Sequence, residues 1–327
     1  MIITTTITTL FALQFALPLA LILWLAFAAQ RSKLGFWLQV AASGACIMAL
    51  ALLGIWLWPP WWAPYCYALA LFIATWIGLR WRAPFVSKMP IVWGAWITVF
   101  LLMALGFASI NGVVTALRSK TPPQGALVNL TFPLSSGTYL IVNGGSHLST
   151  NAHLMTLDSS EAKFQAWRGQ SYGVDIVQID AYGLRASSML PANPSAYQIY
   201  GAPALAPCAG QVLQVLDGLP DMQVPEVDRE HLAGNYVLLR CADQLAGGSV
   251  DVLLGHLRPG SVQVRAGLVV SLGEWLGSVG NSGNTGEPHL HIHAQRPGPV
   301  HAPLGGNPLP IVFNGRYLVR NDRVVLP

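Results

Sequence analysis

The 327-residue sequence predicts four transmembrane α-helices followed by an all-β, or at least β-dominated, outer domain. Three observations carry this. Residues 1–118 hold four apolar segments, each near the roughly 20 residues that cross a bilayer as a helix. That half has no acidic residue and no histidine: the first acid is Asp158, and all eight histidines lie between His147 and His301. From Gly137 onward, short β-rich runs alternate with Gly, Pro and Asn turns, with no long 3.6-period pattern.

The apolar segments are residues 7–29, 34–58, 63–79 and 91–110. A cleavable signal peptide is the alternative for the first, but it lacks a basic start and three more segments follow. Gln14 and Pro18 inside it are tolerable, because neighbouring helices can satisfy freed backbone groups. The first connection holds Arg31 and Lys33, the third holds Arg80, Arg82 and Lys88, and the second, WPPWWAPYCY, holds no charge. Basic connections stay on the cytoplasmic side. Both termini are therefore expected outside the cytoplasmic (inner) membrane of the cell; Arg118 and Lys120 oppose this weakly. Trp56, Trp58, Trp61 and Trp62 fit an aromatic belt at the outer interface. Small residues in the second segment (Ala42, Gly44, Ala45, Ala49) permit close helix packing. No acid or histidine lies in the spans, so they read as an anchor rather than a pump or proton-coupled transporter.

The domain reading is a four-span anchor over 1–118, a Pro-rich linker over 119–136 and an extracytoplasmic domain over 137–327. The chain's basic balance comes from its first part. Residues 119–327 carry 12 Lys+Arg against 14 Asp+Glu, with no basic run, so nucleic acid is not an expected partner. The expected strands include TYLIVN, SYGVDIVQI, GQVLQVLD, GNYVLLRC, VDVLLGHL, SVQVRAG, HLHIHAQ and PIVFNGRYLV; Asn314-Gly315 is a hairpin signal in the last. Pairing Gln211 with Leu238 would set Cys208 opposite Cys241. An oxidising outer location permits a disulfide there, with two buried thiols as the alternative.

The chemistry concentrates in NSGNTGEPHLHIHA, residues 281–294. His289, His291 and His293 alternate with Leu290 and Ile292, so in a strand all three imidazoles share one face. Imidazole is both a common metal ligand and a general base near neutral pH. A solvated strand face is the plain alternative for such an alternation.

The run GHLRPGSVQVRAGLVVSLGEWLGSVGNSGNTGEPHLHIHA resembles the C-terminal signature of the lysostaphin-like zinc endopeptidases, which cut peptide bonds in cell-wall peptidoglycan. Upstream, YGVDIV resembles that family's first metal motif, and YGAPALAPCAGQV and GNYVLL its intervening strands. The resemblance implies Asp175 and His291 as zinc ligands, with His256 and His289 as catalytic histidines that do not bind the metal. It also implies a peptidoglycan peptide as substrate and one zinc ion as cofactor. Such an ion would lower the pKa of its water from about 16 toward roughly 7. No HExxH glutamate occurs, so the base would be a histidine.

The sequence departs from the family at one position. Ser171 stands four residues before Asp175, where the family has a histidine ligand. The pattern Gln170, Tyr172, Asp175 is similar to a branch in which that ligand comes from upstream. His153, in STNAHLMTL, is the candidate, reaching the metal from a neighbouring strand. His147 and a site lacking this ligand are the alternatives. His293 reads as a neighbour of the site or a surface residue, and His231 and His301 as ordinary loop residues. Two further functions stay open: an inactive module of the same fold that binds the wall or activates a partner hydrolase, and a channel formed by the spans.

Overall fold

Apolar sequence, with basic residues only at the helix ends, forms the helices of the first part. The computed structural model describes residues 12–28, 30–81, 85, 87–242, 248–299 and 301–327, and the chain divides into two units, Met1–Leu117 and Arg118–Pro327. The first unit contains α1 (Ala12–Ala28, opening with a π-helical turn), α2 (Lys33–Leu53), α3 (Ala63–Trp81) and α4 (Trp93–Ser119). Among the described residues, three helices are long and apolar enough to cross a membrane: Lys33–Leu53, Ala63–Arg80 and Trp93–Ser119. Only 17 residues of the expected first span form a described apolar helix; residues 7–11 and Ala29 lie outside the described residues, as does Arg82. The expectation of four spans is thus met for three.

Polar groups among these helices are largely answered. Ser32 caps α2 by accepting from the Gly35 amide. Gln14 clamps Ile55, donating to its carbonyl at 2.9 Å and accepting from its amide at 2.8 Å. A Cβ built on Gly106 would lie 3.7 Å from Ala42 Cβ, and one on Gly112 would lie 3.5 Å from Ala49 Cβ. Small residues of α2 therefore bring α4 close, as their spacing suggested. One belt residue is corrected: Trp56 is buried, with its indole N–H donating to the Leu50 and Ala51 carbonyls.

The second unit is β-rich. Its strands are β1 (Val128–Leu130), β2 (Gly137–Asn143), β3 (Val174–Ile179), β4 (Pro203–Leu205), β5 (Gly210–Leu216), β6 (Asn235–Cys241), β7 (Val250–Leu257), β8 (Val269–Val270), β9 (Trp275–Ser278), β10 (Leu290–Arg296), β11 (Asn307–Leu309), β12 (Ile311–Phe313) and β13 (Arg323–Leu326). Nine strands form one sheet, in the order β13-β2-β3-β10-β7-β6-β5-β8, with β11 also on β10; β1–β12 and β4–β9 form two small pairs. β1 falls within the stretch expected as linker and pairs in parallel with β12. SVQVRAG forms no strand. The Asn314-Gly315 turn forms as expected, with positive φ at both residues, but only a single bridge closes it.

Strand alternation sorts the sheet's two faces. Val174, Ile176, Val252, Leu254, Leu290, Ile292 and Ala294 point into the main core. Asp175, Leu253, His291 and His293 occupy the alternate positions. A disulfide joins Cys208 and Cys241, with Cα atoms 5.7 Å apart. The register is not the expected one: Gln211 pairs with Arg240, and a bulge between Val212 and Gln214 shifts the remainder of β5 against β6. Cys208 thus bonds to Cys241 from just ahead of the first paired residue, Gly210.

Candidate metal centre

Sheet register builds the site's floor. Asn143 of β2, Asp175 of β3 and His291 of β10 are consecutive cross-strand partners, and Gly255 of β7 completes the row beside His256. Such neighbours sit about 5 Å apart, close enough for side chains to converge.

His153 arrives from outside the sheet. It lies on a 3-10 helix, Ala152–Leu157, and not on the strand expected for it. Asn151 caps that helix and also donates to the Gly173 carbonyl, tying the turn to the start of β3. His153 Nε2 lies 3.0 Å from Asp175 Oδ2, and His291 Nδ1 lies 2.8 Å from Asp175 Oδ1. Donor atoms of His153, Asp175 and His291 all fall within 4.8 Å of one another. Gly173 gives them room: a Cβ there would meet His291 Cε1 at 2.7 Å and His153 Cδ2 at 3.3 Å. Two imidazoles and one carboxylate in a tight cluster are the donor set of a catalytic zinc, which takes three protein ligands and keeps one position open. The donors present therefore fit zinc.

Ser171 does not join them. It is buried on the 3-10 turn Arg168–Tyr172, its hydroxyl 2.6 Å from the Arg168 carbonyl and 2.8 Å from Thr156 Oγ1. Thr156 in turn donates to the His153 carbonyl. The serine thus braces the turn that carries His153. His147 caps its own turn by accepting from the Ser149 amide, and His231 pairs with Asp228 at the surface.

His256 and His289 stand beside the cluster, their rings 4.7 Å apart, with His256 5.8 Å from His291. His256 Nδ1 is 2.9 Å from the Ser282 carbonyl, and His289 Nδ1 is 2.9 Å from the Glu287 carbonyl. A carbonyl only accepts, so each Nδ1 carries the proton and each Nε2 presents a lone pair. His289 Nε2 lies 3.6 Å from Asp175 Oδ1. His256 holds a left-handed backbone, φ +61°, at the end of β7. The Glu287 loop is fixed by a fork of Arg185, whose Nε and Nη2 each reach the carboxylate at 2.8 Å.

Burial and charge tune the group. Burial alone would raise the Asp175 pKa; the imidazoles of His153 and His289, and hydrogen bonds from His153 and His291, outweigh it and hold the carboxyl well below its usual value. Burial, followed by the neighbouring His289 and His291, holds His256 well below the ordinary imidazole value. His291 and His293 are also lowered, chiefly by burial.

Two residues that the sequence did not signal complete the network. Asn143 donates to Asp175 Oδ2 at 2.8 Å, while its oxygen accepts from the Ala152 amide and from Arg320 Nη2. Burial brings Arg320 down to about 10, against the opposing pull of Asp175. Only the pairing of β2 with β3, and the packing of the chain near its end, bring them to Asp175.

Residues 196–303 match Peptidase family M23. That segment contains His256, His289 and His291 and stops short of Asp175 and His153. No curated protein matches the chain. Among solved structures, the catalytic domain of the antimicrobial peptidase lysostaphin from Staphylococcus simulans is 18% identical, over 54% of this chain and 86% of that one, with a TM-score of 0.26. The catalytic domain of a mutant of the prophage-encoded M23 protein EnpA from Enterococcus faecalis is 16% identical, over 57% and 92%, with a TM-score of 0.27. A zinc containing peptidase from Vibrio cholerae is 20% identical, over 36% and 35%, with a TM-score of 0.23.

Proposed function

From a chain that carries a Peptidase family M23 domain at residues 196–303, we propose a membrane-anchored zinc endopeptidase that hydrolyses peptide bonds of peptidoglycan. The observation that carries this reading is the convergence of His153 Nε2, the Asp175 carboxylate and His291 Nδ1 beside two histidines with free Nε2 lone pairs. The four apolar helices, Ala12–Ala28 included, anchor the protein, and the positive-inside pattern puts the peptidase unit and both termini outside the cytoplasmic membrane.

His153, Asp175 and His291 would hold one zinc ion. When bound, zinc supplies a Lewis acid for the scissile carbonyl and an acidified water. His289 Nε2 accepts the proton of the attacking water, because its Nδ1 is committed to the Glu287 carbonyl and the open lone pair faces Asp175. His256, fixed through the Ser282 carbonyl, stands across from it with its Nε2 lone pair open and passes a proton to the leaving amine once it has accepted one. Burial favours neutral His256, so its Nε2 can take a proton from the water and return it to the leaving amine, ending neutral as it began.

The test is zinc content and muropeptide cleavage by the full chain in detergent. The reading expects one zinc per chain, lost in His153→Ala, and cleavage lost in His289→Ala with zinc retained. A native chain without zinc would support instead a wall-binding or activating module of the same fold.

A further inference from the structure

His291 has two ring nitrogens and the structure occupies both. Nδ1 lies 2.8 Å from Asp175 Oδ1, and Nε2 lies 3.0 Å from His293 Nδ1. His293 is fully buried, its ring 5.2 Å from that of His291, and its own Nε2 has no hydrogen-bond partner among the described residues. A buried imidazole on the metal-facing side of β10 therefore has His291 as its close ring partner, with the Gln295 side chain the other polar group beside it.

We propose that His293 is a positioning residue that sets the tautomer of His291: its Nδ1 accepts the His291 Nε2 proton and so leaves His291 Nδ1 as the metal-binding lone pair. This rests on the reading of His153, Asp175 and His291 as zinc ligands. Without metal, the 2.8 Å contact between His291 Nδ1 and a carboxylate requires a proton on that nitrogen, because the carboxylate only accepts. His291 Nε2 is then an acceptor, and His293 Nδ1 must donate to it. When Nδ1 of His291 gives its lone pair to a metal, its proton belongs on Nε2, and the hydrogen bond to His293 reverses direction. His293 then carries its proton on Nε2, where the Gln295 side chain is the neighbouring acceptor. Two neutral rings hold two protons before and after, so the pair changes tautomer without changing charge. A residue at 293 that lacks an acceptor would leave the His291 N–H buried and unanswered in the metal-bound state. Partners of this kind orient metal-binding histidines and change affinity when removed.

The experiment uses the full chain in detergent, stripped of metal and titrated with zinc against a chromophoric chelator. His293→Phe fills the volume without an acceptor; His293→Asn keeps an acceptor near the Nδ1 position with less volume. Zinc affinity should fall about 10- to 100-fold in His293→Phe and stay near the native value in His293→Asn. Nitrogen NMR of labelled histidines should show His291 protonated on Nδ1 without zinc and on Nε2 with it. Affinity that follows side-chain volume rather than the acceptor, or a zinc-bound His291 without an Nε2 proton, overturns the proposal. If His293→Phe does not fold, the asparagine variant and the native tautomers still decide. A native chain that binds no zinc overturns the ligand reading itself, a separate failure from an acceptor-free variant that binds as tightly as the native chain.

Discussion

Arg185→Met should cost both stability and turnover while leaving the metal in place. The guanidinium grips Glu287 with three contacts of 2.8–3.0 Å, and the two side chains are only 7% and 16% exposed. Removing one partner of a buried ion pair costs about 3–5 kcal/mol, because the other charge is stranded. Glu287 retains some exposure, so the lower end applies, about 3 kcal/mol. In a unit of this size that lowers the melting temperature by roughly 6–12 °C. The functional consequence runs through the same residue: the Glu287 carbonyl accepts a hydrogen bond from His289 Nδ1, and Thr285 donates to that carbonyl as well. Loosening the loop misplaces His289, and kcat falls about ten- to a hundredfold. Circular dichroism of the full chain in detergent reads the first effect, and cleavage rate with zinc content reads the second. Arg185→Lys, which keeps charge but not the fork, falls between. A variant that melts with the native protein, or that loses zinc instead of rate, refutes the reasoning.

Other outcomes come from the same geometry. Zinc at a hundred times its Kd should stabilise the native chain by about 2.7 kcal/mol, and His153→Ala should abolish this shift, measured as a denaturant midpoint with and without zinc. In zinc-free protein, His256, His291 and His293 have folded pKa values below the ordinary 6.5. The unfolded chain therefore binds more protons below about 6.5, and stability is present above that pH and lost as pH falls through it. Asp175, depressed from 3.8, adds a further loss only at more acidic pH. Denaturant midpoints that stay flat between pH 7 and 5 would contradict this. Reducing Cys208–Cys241, which are 33 residues apart, should cost about 3–4 kcal/mol, read as a midpoint shift with reductant.

The features legible in the sequence are the local ones. The period-two spacing of His289, His291 and His293 sets them on one face; β10 keeps His291 and His293 there, and His289 lies one residue ahead of the strand. Apolar length without charge marks the helices. Non-local facts were hidden. Nothing in TYLIVN reveals that Asn143 will sit opposite Asp175, because that depends on which strands become neighbours. His153 was legible as a candidate, but its route was not: a 3-10 turn braced by Ser171 and Thr156 carries it, where strand pairing was expected. The cysteine pair was legible and its register was not, since the bulge at Val212 is invisible in the alternation.

His256 occupies a backbone conformation that costs a residue with a Cβ about 1 kcal/mol or more. Its amide donates to Ala233, its carbonyl accepts from Gly280, and its ring is tied to Ser282, so the surroundings hold it in that geometry. The chain thus keeps an imidazole where glycine would be the more comfortable tenant. Relief of that strain in His256→Gly would be set against the buried space and the Ser282 hydrogen bond that the ring gives up, so backbone comfort alone does not favour glycine there.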